Sequence, residues 1–118
     1  MSGTANIRVA FETEKTLAAG AIVAGYTLVG SVFQHMIRLI VIQNLTDEAV
    51  TFSFDGINNT ITLPAGGQVV LDWASDKANT SDDFVQAIGR GVWAKQSGVP
   101  TTGAVYVSAF YAAGANAN

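Results

Sequence analysis

The chain has no cysteine and only one histidine, and both absences exclude chemistry. Without cysteine among its 118 residues it forms no disulfide, no thiol nucleophile and no cysteine-ligated zinc site. The single histidine, His35, has no second histidine with which to build a conventional zinc site, so we expect a structural or loop role for it. We therefore predict no metal and no cofactor.

Charge is also scarce, and basic charge is scattered. Only 13% of the residues are charged and the formal net charge is −3, with six lysines and arginines spread along the chain. Binding to a phosphate backbone needs clustered basic residues, so we expect no nucleic-acid partner. A soluble monomer of this size typically carries about twice as many charges. We therefore expect other subunits to cover much of the surface, most simply in a homo-oligomer.

The longest uncharged run, residues 17–33, does not predict a membrane span. It is shorter than the roughly 20 apolar residues that a spanning helix needs, and Gly20, Gly25 and Gly30 interrupt it. Strands at 21–24 and 26–33, with glycines at the bends, fit the run better. The first residues lack the basic and apolar regions of a signal peptide, so we expect synthesis in a cytoplasm without export.

The clearest pattern is the alternation of apolar and polar residues in three short segments between residues 49 and 73. The apolar members of the segments are Val50, Phe52 and Phe54, then Ile61 and Leu63, then Val69, Leu71 and Trp73. Turn-forming residues separate the segments at 55–59 and 64–67. This pattern is typical of antiparallel strands with one buried face.

Further strands are predicted at residues 6–12, 36–43, 92–96 and 104–111, and residues 12–16 are predicted to form an exposed turn. Thr80 or Ser81 could cap a short helix or helical loop over 81–88 that ends at Gly89. The sequence thus predicts an all-β, single-domain antiparallel β-sandwich, or flattened barrel, of about eight strands. We assign residues 1–111 to this domain and residues 112–118 to a flexible C-terminal tail.

The segment at 36–43 is apolar on both faces, which is typical of a strand that lies between two layers or under a partner subunit. One face carries Ile37, Leu39 and Val41. The other face carries Met36, Arg38, Ile40 and Ile42. Because Arg38 interrupts the second face, we predict that this face is not wholly in a core. It is our candidate subunit interface, together with the C-terminal tail.

No catalytic set is recognisable, and we expect no enzymatic activity. The Gly-x-Ser-x-Gly elbow of serine hydrolases is absent, and Asp82-Asp83 fits a helix start. Asp55 with Asn58 and Asn59 fits a tight turn better than a calcium loop. Trp73 and Trp93 could form an aromatic platform, which leaves a carbohydrate- or surface-binding module, possibly tail-associated, as the alternative function.

Several of these segments, in their order, resemble the small β-sandwich virion proteins of tailed bacteriophages. The resemblance spans about residues 36–111. It is carried by Thr51-Phe52-Ser53-Phe54-Asp55-Gly56, Leu63-Pro64-Ala65-Gly66-Gly67, Leu71-Asp72 and the segment from Val99 to Tyr111 with its Gly103-Ala104-Val105-Tyr106-Val107-Ser108 strand.

The resemblance implies a structural role in the virion, as a capsid decoration or cement protein or as a head–tail connector or collar subunit. Such subunits form symmetric oligomers that dock on capsid, portal or tail proteins. The implied mechanism is contact between subunits, in agreement with the low charge and the missing catalytic set. No motif of the family marks contact residues in this chain.

Overall fold

A computed structural model of the chain, which describes residues 8–72 and 89–113, contains nine strands in two antiparallel sheets. The strands are β1 (Arg8–Phe11), β2 (Lys15–Ala18), β3 (Thr27–Leu28), β4 (Leu39–Asn44), β5 (Val50–Ser53), β6 (Ile61–Leu63), β7 (Gln68–Asp72), β8 (Trp93–Gln96) and β9 (Ala104–Ala113). A short 3-10 helix spans Ala19–Ala21. The prediction of an all-β sandwich is confirmed.

The five-stranded sheet has the order β1-β9-β4-β7, and β2 pairs with β9 beside β1. The four-stranded sheet has the order β3-β8-β5-β6. The long β9 strand thus pairs with β1 and β2 on one side and with β4 on the other. The turns at Asp55-Gly56 and Pro64-Ala65-Gly66-Gly67 lie where the sequence predicts them.

The core lies between the two sheets and is filled by alternate residues of their inner strands. Its fully buried members include Ile40 and Ile42 of β4, Val50 and Phe52 of β5, and Val105 and Val107 of β9. Residues from the connections, among them Val29, Phe33, Ile37 and Val92, complete the same cluster. Burial of this apolar set supplies the main driving force for folding.

The segment 12–16, predicted as an exposed turn, is instead a β-bulge that continues the edge of the sheet. Phe11 is the register partner of Phe110 and Lys15 is that of Val107, so three residues oppose two on β9. Glu12 points inward by alternation after Phe11, and the extra residue turns Lys15 inward as well, so both side chains are buried. The prediction of exposure is wrong for these two residues, because charged side chains are buried where they find partners inside. Thr13, Glu14 and Thr16 are exposed, as predicted.

The two faces of β4 are the reverse of the prediction: the face that was predicted to be an interface points into the core. Ile40 and Ile42 are completely buried, whereas Leu39 and Val41 lie on the outer side. Before the strand, the Arg38 N–H donates to the Phe110 carbonyl at 2.9 Å although Leu39 is the register partner of Phe110. This irregularity shifts the alternation by one residue, so that Ile37 and Ile40 are both buried.

Two smaller differences concern the extent of the strands. Of residues 21–33, only Thr27–Leu28 form a strand, and β9 continues two residues beyond the predicted end at Tyr111. Trp73, the segment 81–88 that was predicted to be helical, and residues 114–118 lie outside the described residues. In the ranges 8–72 and 89–113, no helix has the length and apolar character required to cross a membrane.

Candidate functional site: the outer face of the five-stranded sheet

The outer face of the five-stranded sheet carries a group of apolar side chains that no described part of the fold covers. Register partners in an antiparallel sheet point to the same side, and Phe11, Phe110 and Leu39 are successive partners, as are Val41 and Val70. We define the outer face as these residues together with Val9. Val9 is 82% exposed, Phe11 73% and Val70 54%, and the other three are half-buried.

Polar residues border this outer face. Gln43 and Gln68 lie one row beyond Val41 and Val70, and their side-chain amides are hydrogen-bonded at 3.3 Å. Ser108 lies at the β9 end of the row that contains Val41 and Val70, and it donates to a carboxylate oxygen of Glu14 at 3.3 Å. An apolar centre with a polar margin is the usual composition of a protein interface.

A buried ion pair holds the adjacent end of the sandwich together. The Glu12 Oε2 atom accepts hydrogen bonds from the Gln34 N–H at 2.8 Å, the His35 N–H at 2.8 Å and the His35 Nδ1 at 2.9 Å. Lys15 Nζ lies 3.4 Å from Glu12 Oε1 and donates to Ser31 Oγ at 3.0 Å. The bulge of the β1–β2 edge is therefore fastened to the 31–35 loop.

His35 belongs to this cluster, as the prediction of a structural or loop histidine implies. An ionised carboxylate can only accept, so Nδ1 carries the hydrogen in its bond to Glu12. The imidazole stacks on the Tyr111 ring with 3.7 Å between centroids and an interplanar angle of 5°. Both contacts fix the ring orientation and tie the loop to β9.

A solvent-open cavity of about 340 Å³ adjoins the cluster. It is lined by Phe11, Glu12, Thr13, Lys15, Ser31, Gln34 and His35. A serine nucleophile is activated when a base accepts its hydroxyl proton. Here Lys15 Nζ instead donates a hydrogen bond to Ser31 Oγ, so this contact does not activate Ser31. Across the two described ranges, no group of three or more histidine, aspartate or glutamate side chains could hold a metal ion. The geometry supports a structural role for the cluster.

The cluster makes stability depend on pH, and Glu12→Gln tests this. Burial raises the pKa of Glu12, but the hydrogen bonds from His35 and Gln34 and the charge of Lys15 outweigh it, so the pKa lies below its ordinary 4.5. The ionised form is thus favoured in the folded state, and its stabilisation is complete above 4.5 and lost as the pH falls through the folded pKa. We expect Glu12→Gln to cost about 1–2 kcal/mol at neutral pH.

Thermal melts between about pH 7 and pH 3 measure this linkage. The wild-type melting temperature should fall more steeply below pH 4.5 than that of Glu12→Gln, since the variant has no carboxylate to protonate here. Glu14→Gln, a nearby exposed carboxylate, is the matched control and should retain the wild-type slope. Parallel curves for wild type and Glu12→Gln would contradict this role of Glu12.

Of the two tryptophans considered for a sugar platform, Trp93 lies in β8 of the four-stranded sheet, and Trp73 lies outside the described residues. Tyr26 precedes β3, the strand that pairs with β8. The Tyr26 hydroxyl donates to Asn59 Oδ1 at 2.5 Å, and Lys95 Nζ lies 4.8 Å from the centre of its ring. The Trp93 ring is half-buried, and a Cβ on Gly56 would lie 3.2 Å from it. One face of each ring is therefore covered by the chain itself, so each ring could offer at most one face to a ligand.

The loop that covers Trp93 is held by its own aspartate. The Asp55 Oδ1 atom accepts from the Asn58 N–H at 2.8 Å, the Ser53 hydroxyl at 2.7 Å and the Ile57 N–H at 2.8 Å. These bonds hold the pKa of Asp55 well below its usual range. Asp55 and Asn58 therefore form a turn, as the sequence predicts, and their oxygens serve that turn.

Of the four predicted interface residues, two are in the core. Ile40 and Ile42 face inward, Met36 is exposed, and Arg38 is half-buried beside β9. The outer-face residues Val9, Phe11 and Val70 were missed. A signal existed for Val70, because Val69 and Leu71 alternate toward the core and leave an apolar residue on the polar side of the strand.

Comparisons with known proteins add no relative on which a function could be based. No protein-family model, no curated protein and no solved structure matches this chain.

Proposed function

We propose that this protein is a non-enzymatic structural subunit of a tailed-phage virion, located in the head or neck as a decoration, connector or collar component. The observation that carries the proposal is the outer face of the five-stranded sheet. Its apolar centre and polar margin suit contact with another protein, and large exposed apolar patches mark such contacts. The low charge and the resemblance of the order of turns and strands to that of small phage virion proteins support the same role.

Other features of the fold suit a mechanical role. The two sheets, the buried Glu12–Lys15 pair and the stacked His35 give a tightly connected scaffold. A rigid sheet presents the outer face with little loss of conformational freedom on docking. The proposed mechanism is therefore burial of the outer face against capsid, portal or tail subunits, or against further copies of the chain.

Phe11→Asp tests the outer face, since Phe11 is largely exposed and is the register partner of Phe110 in that face. We expect the variant to fold with a melting temperature close to that of the wild type, and to self-associate or dock at least about tenfold more weakly, because a desolvated carboxylate opposes burial. Light scattering coupled to size exclusion measures association over a concentration series. Ile57→Asp, at a similarly exposed apolar residue of the 54–60 loop, is the matched control and should associate like the wild type.

The assignment to a virion has its own experiment. Particles from the source of the gene are separated on a density gradient, and the protein is quantified in the particle and soluble fractions by mass spectrometry. Co-migration with particles in a fixed ratio to the major capsid protein is the expected result. Recovery in the soluble fraction alone would contradict the assignment.

A further inference from the structure

The backbone of β7 divides into residues that pair within the sheet and residues that point to its edge. The Asn44 N–H donates to the Gly67 carbonyl at 2.8 Å, which sets the phase of the ladder between β4 and β7. Antiparallel partners alternate between hydrogen-bonded and non-hydrogen-bonded pairs, so Val69 and Leu71 bond to Ile42 and Ile40. The N–H and C=O groups of Gln68 and Val70 consequently project away from β4.

Within residues 8–72 and 89–113, β7 pairs with β4 alone. Soluble proteins usually protect a sheet edge with proline, lysine, a bulge or an inward-pointing charge. The strand Gln68–Asp72 contains no proline, no lysine and no bulge. The opposite edge differs, because the bulge at residues 12–14 interrupts it and the charged side chains of Glu12 and Lys15 point inward.

The β7 sequence is complementary to itself in one antiparallel register. A two-fold axis through Val70 places Val70 opposite Val70 of a second copy, and two copies related in this way meet through identical patches. The same register places Gln68 of each copy opposite Asp72 of the other, so an amide meets a carboxylate and no like charges are paired. Because the N–H and C=O groups of Val70 point away from β4, the two Val70 residues would face each other as a hydrogen-bonded pair.

From this geometry we propose that two copies of the chain pair edge to edge through β7, in an antiparallel register centred on Val70. The five-stranded sheets of the two copies then form one continuous sheet, and their outer faces lie side by side on the same surface. The inference deepens the proposed function and rests on it, since it names a second copy as one partner of an assembling subunit.

A cysteine at the two-fold axis tests the register directly, because the natural chain has none. The Cα atoms of a hydrogen-bonded antiparallel pair lie about 5.5 Å apart, within the roughly 4.4–6.8 Å that a disulfide spans. We expect Val70→Cys to form a covalent dimer under mild oxidation at least about tenfold faster than Val9→Cys, which places an exposed thiol on the other edge. Equal rates for the two variants would overturn the proposal.

Proline distinguishes edge pairing from burial of the outer face. Val70→Pro removes an N–H that points to the edge, so it leaves the pairing with β4 intact and keeps the position apolar. We expect its dimer dissociation constant, measured by analytical ultracentrifugation, to rise about tenfold or more while its melting temperature stays near that of the wild type. Val9→Pro, which removes an edge-facing N–H from β1, should dimerise like the wild type.

The failure of this proposal and the failure of the proposed function give different results. If Val70→Pro dimerises as tightly as the wild type while Phe11→Asp weakens association, pairing through β7 is overturned and assembly through the outer face stands. If the protein is absent from particles but Val70→Cys still forms the dimer rapidly, the virion assignment is overturned and the β7 pairing stands.

Discussion

Ile42→Asp is expected to leave the isolated subunit unfolded. The Ile42 side chain is completely buried between the two sheets, against a cluster that contains no charged residue. A carboxylate there would lose its hydration without gaining a partner, at a cost of at least about 4 kcal/mol. The lost packing of the isoleucine adds about 2–5 kcal/mol, so the total reaches the about 5–15 kcal/mol by which small domains are stable, and most of the folded population should be lost.

The neighbouring residue supplies the control for this variant. Val41→Asp makes the same chemical change one position earlier, on the outer side of the same strand, where the carboxylate reaches water. It should cost about 1 kcal/mol and mainly weaken association. Circular dichroism and urea unfolding of both variants measure the difference. If the Ile42→Asp variant folds and loses only its self-association, the result would contradict the inward orientation of Ile42 in β4.

Asn44→Leu is expected to have the second largest effect, because Asn44 joins two turns to the end of β4. The side chain is completely buried, and its Nδ2 donates to the carbonyl oxygens of Glu48 at 2.8 Å and Leu63 at 3.0 Å. Its Oδ1 accepts from the Thr46 N–H at 3.0 Å and the Thr46 hydroxyl at 2.6 Å. Leucine has a similar size but satisfies none of these groups.

Each buried polar group that loses its partner costs about 1–3 kcal/mol, and we expect a total loss of roughly 3–5 kcal/mol because some groups will recruit water. The midpoint of urea unfolding measures it. Gln43→Leu is the matched control, since the Gln43 amide makes only a solvent-exposed bond to Gln68. It should change stability by less than about 0.5 kcal/mol. Similar midpoints for the two variants would contradict the role of Asn44.

Sequence alternation predicts which residues of a strand are buried when one face of the strand is apolar and the other is polar. Alternation placed Val50 and Phe52 in the core and located the turns on either side of Ile61–Leu63. In β4 both faces are apolar, so alternation alone gave two equivalent orientations. Arg38 then favoured the wrong one, because the irregularity beside Phe110 shifts the phase at that residue.

The functional surface was harder to predict for a related reason. Whether Val70 and Phe11 face solvent depends on which strands are neighbours, and β9 lies about 100 residues from its partner β1. The buried Glu12 depends on a contact with the 34–35 loop, which no local pattern reveals. Pairings of this kind are set by packing of the whole chain, whereas propensity acts over a few residues.

The bulge at residues 12–14 bears on how far an assembly of this protein can grow. A sheet that could add a neighbour at both edges would extend without limit and produce fibres. Here the interrupted strand and the inward Glu12 and Lys15 oppose pairing at one edge of the five-stranded sheet, which leaves β7 as the uninterrupted edge of that sheet among the described residues. Growth by pairing through this sheet should therefore stop at two subunits, and under the proposed function such pairs would be closed units for a particle of defined size.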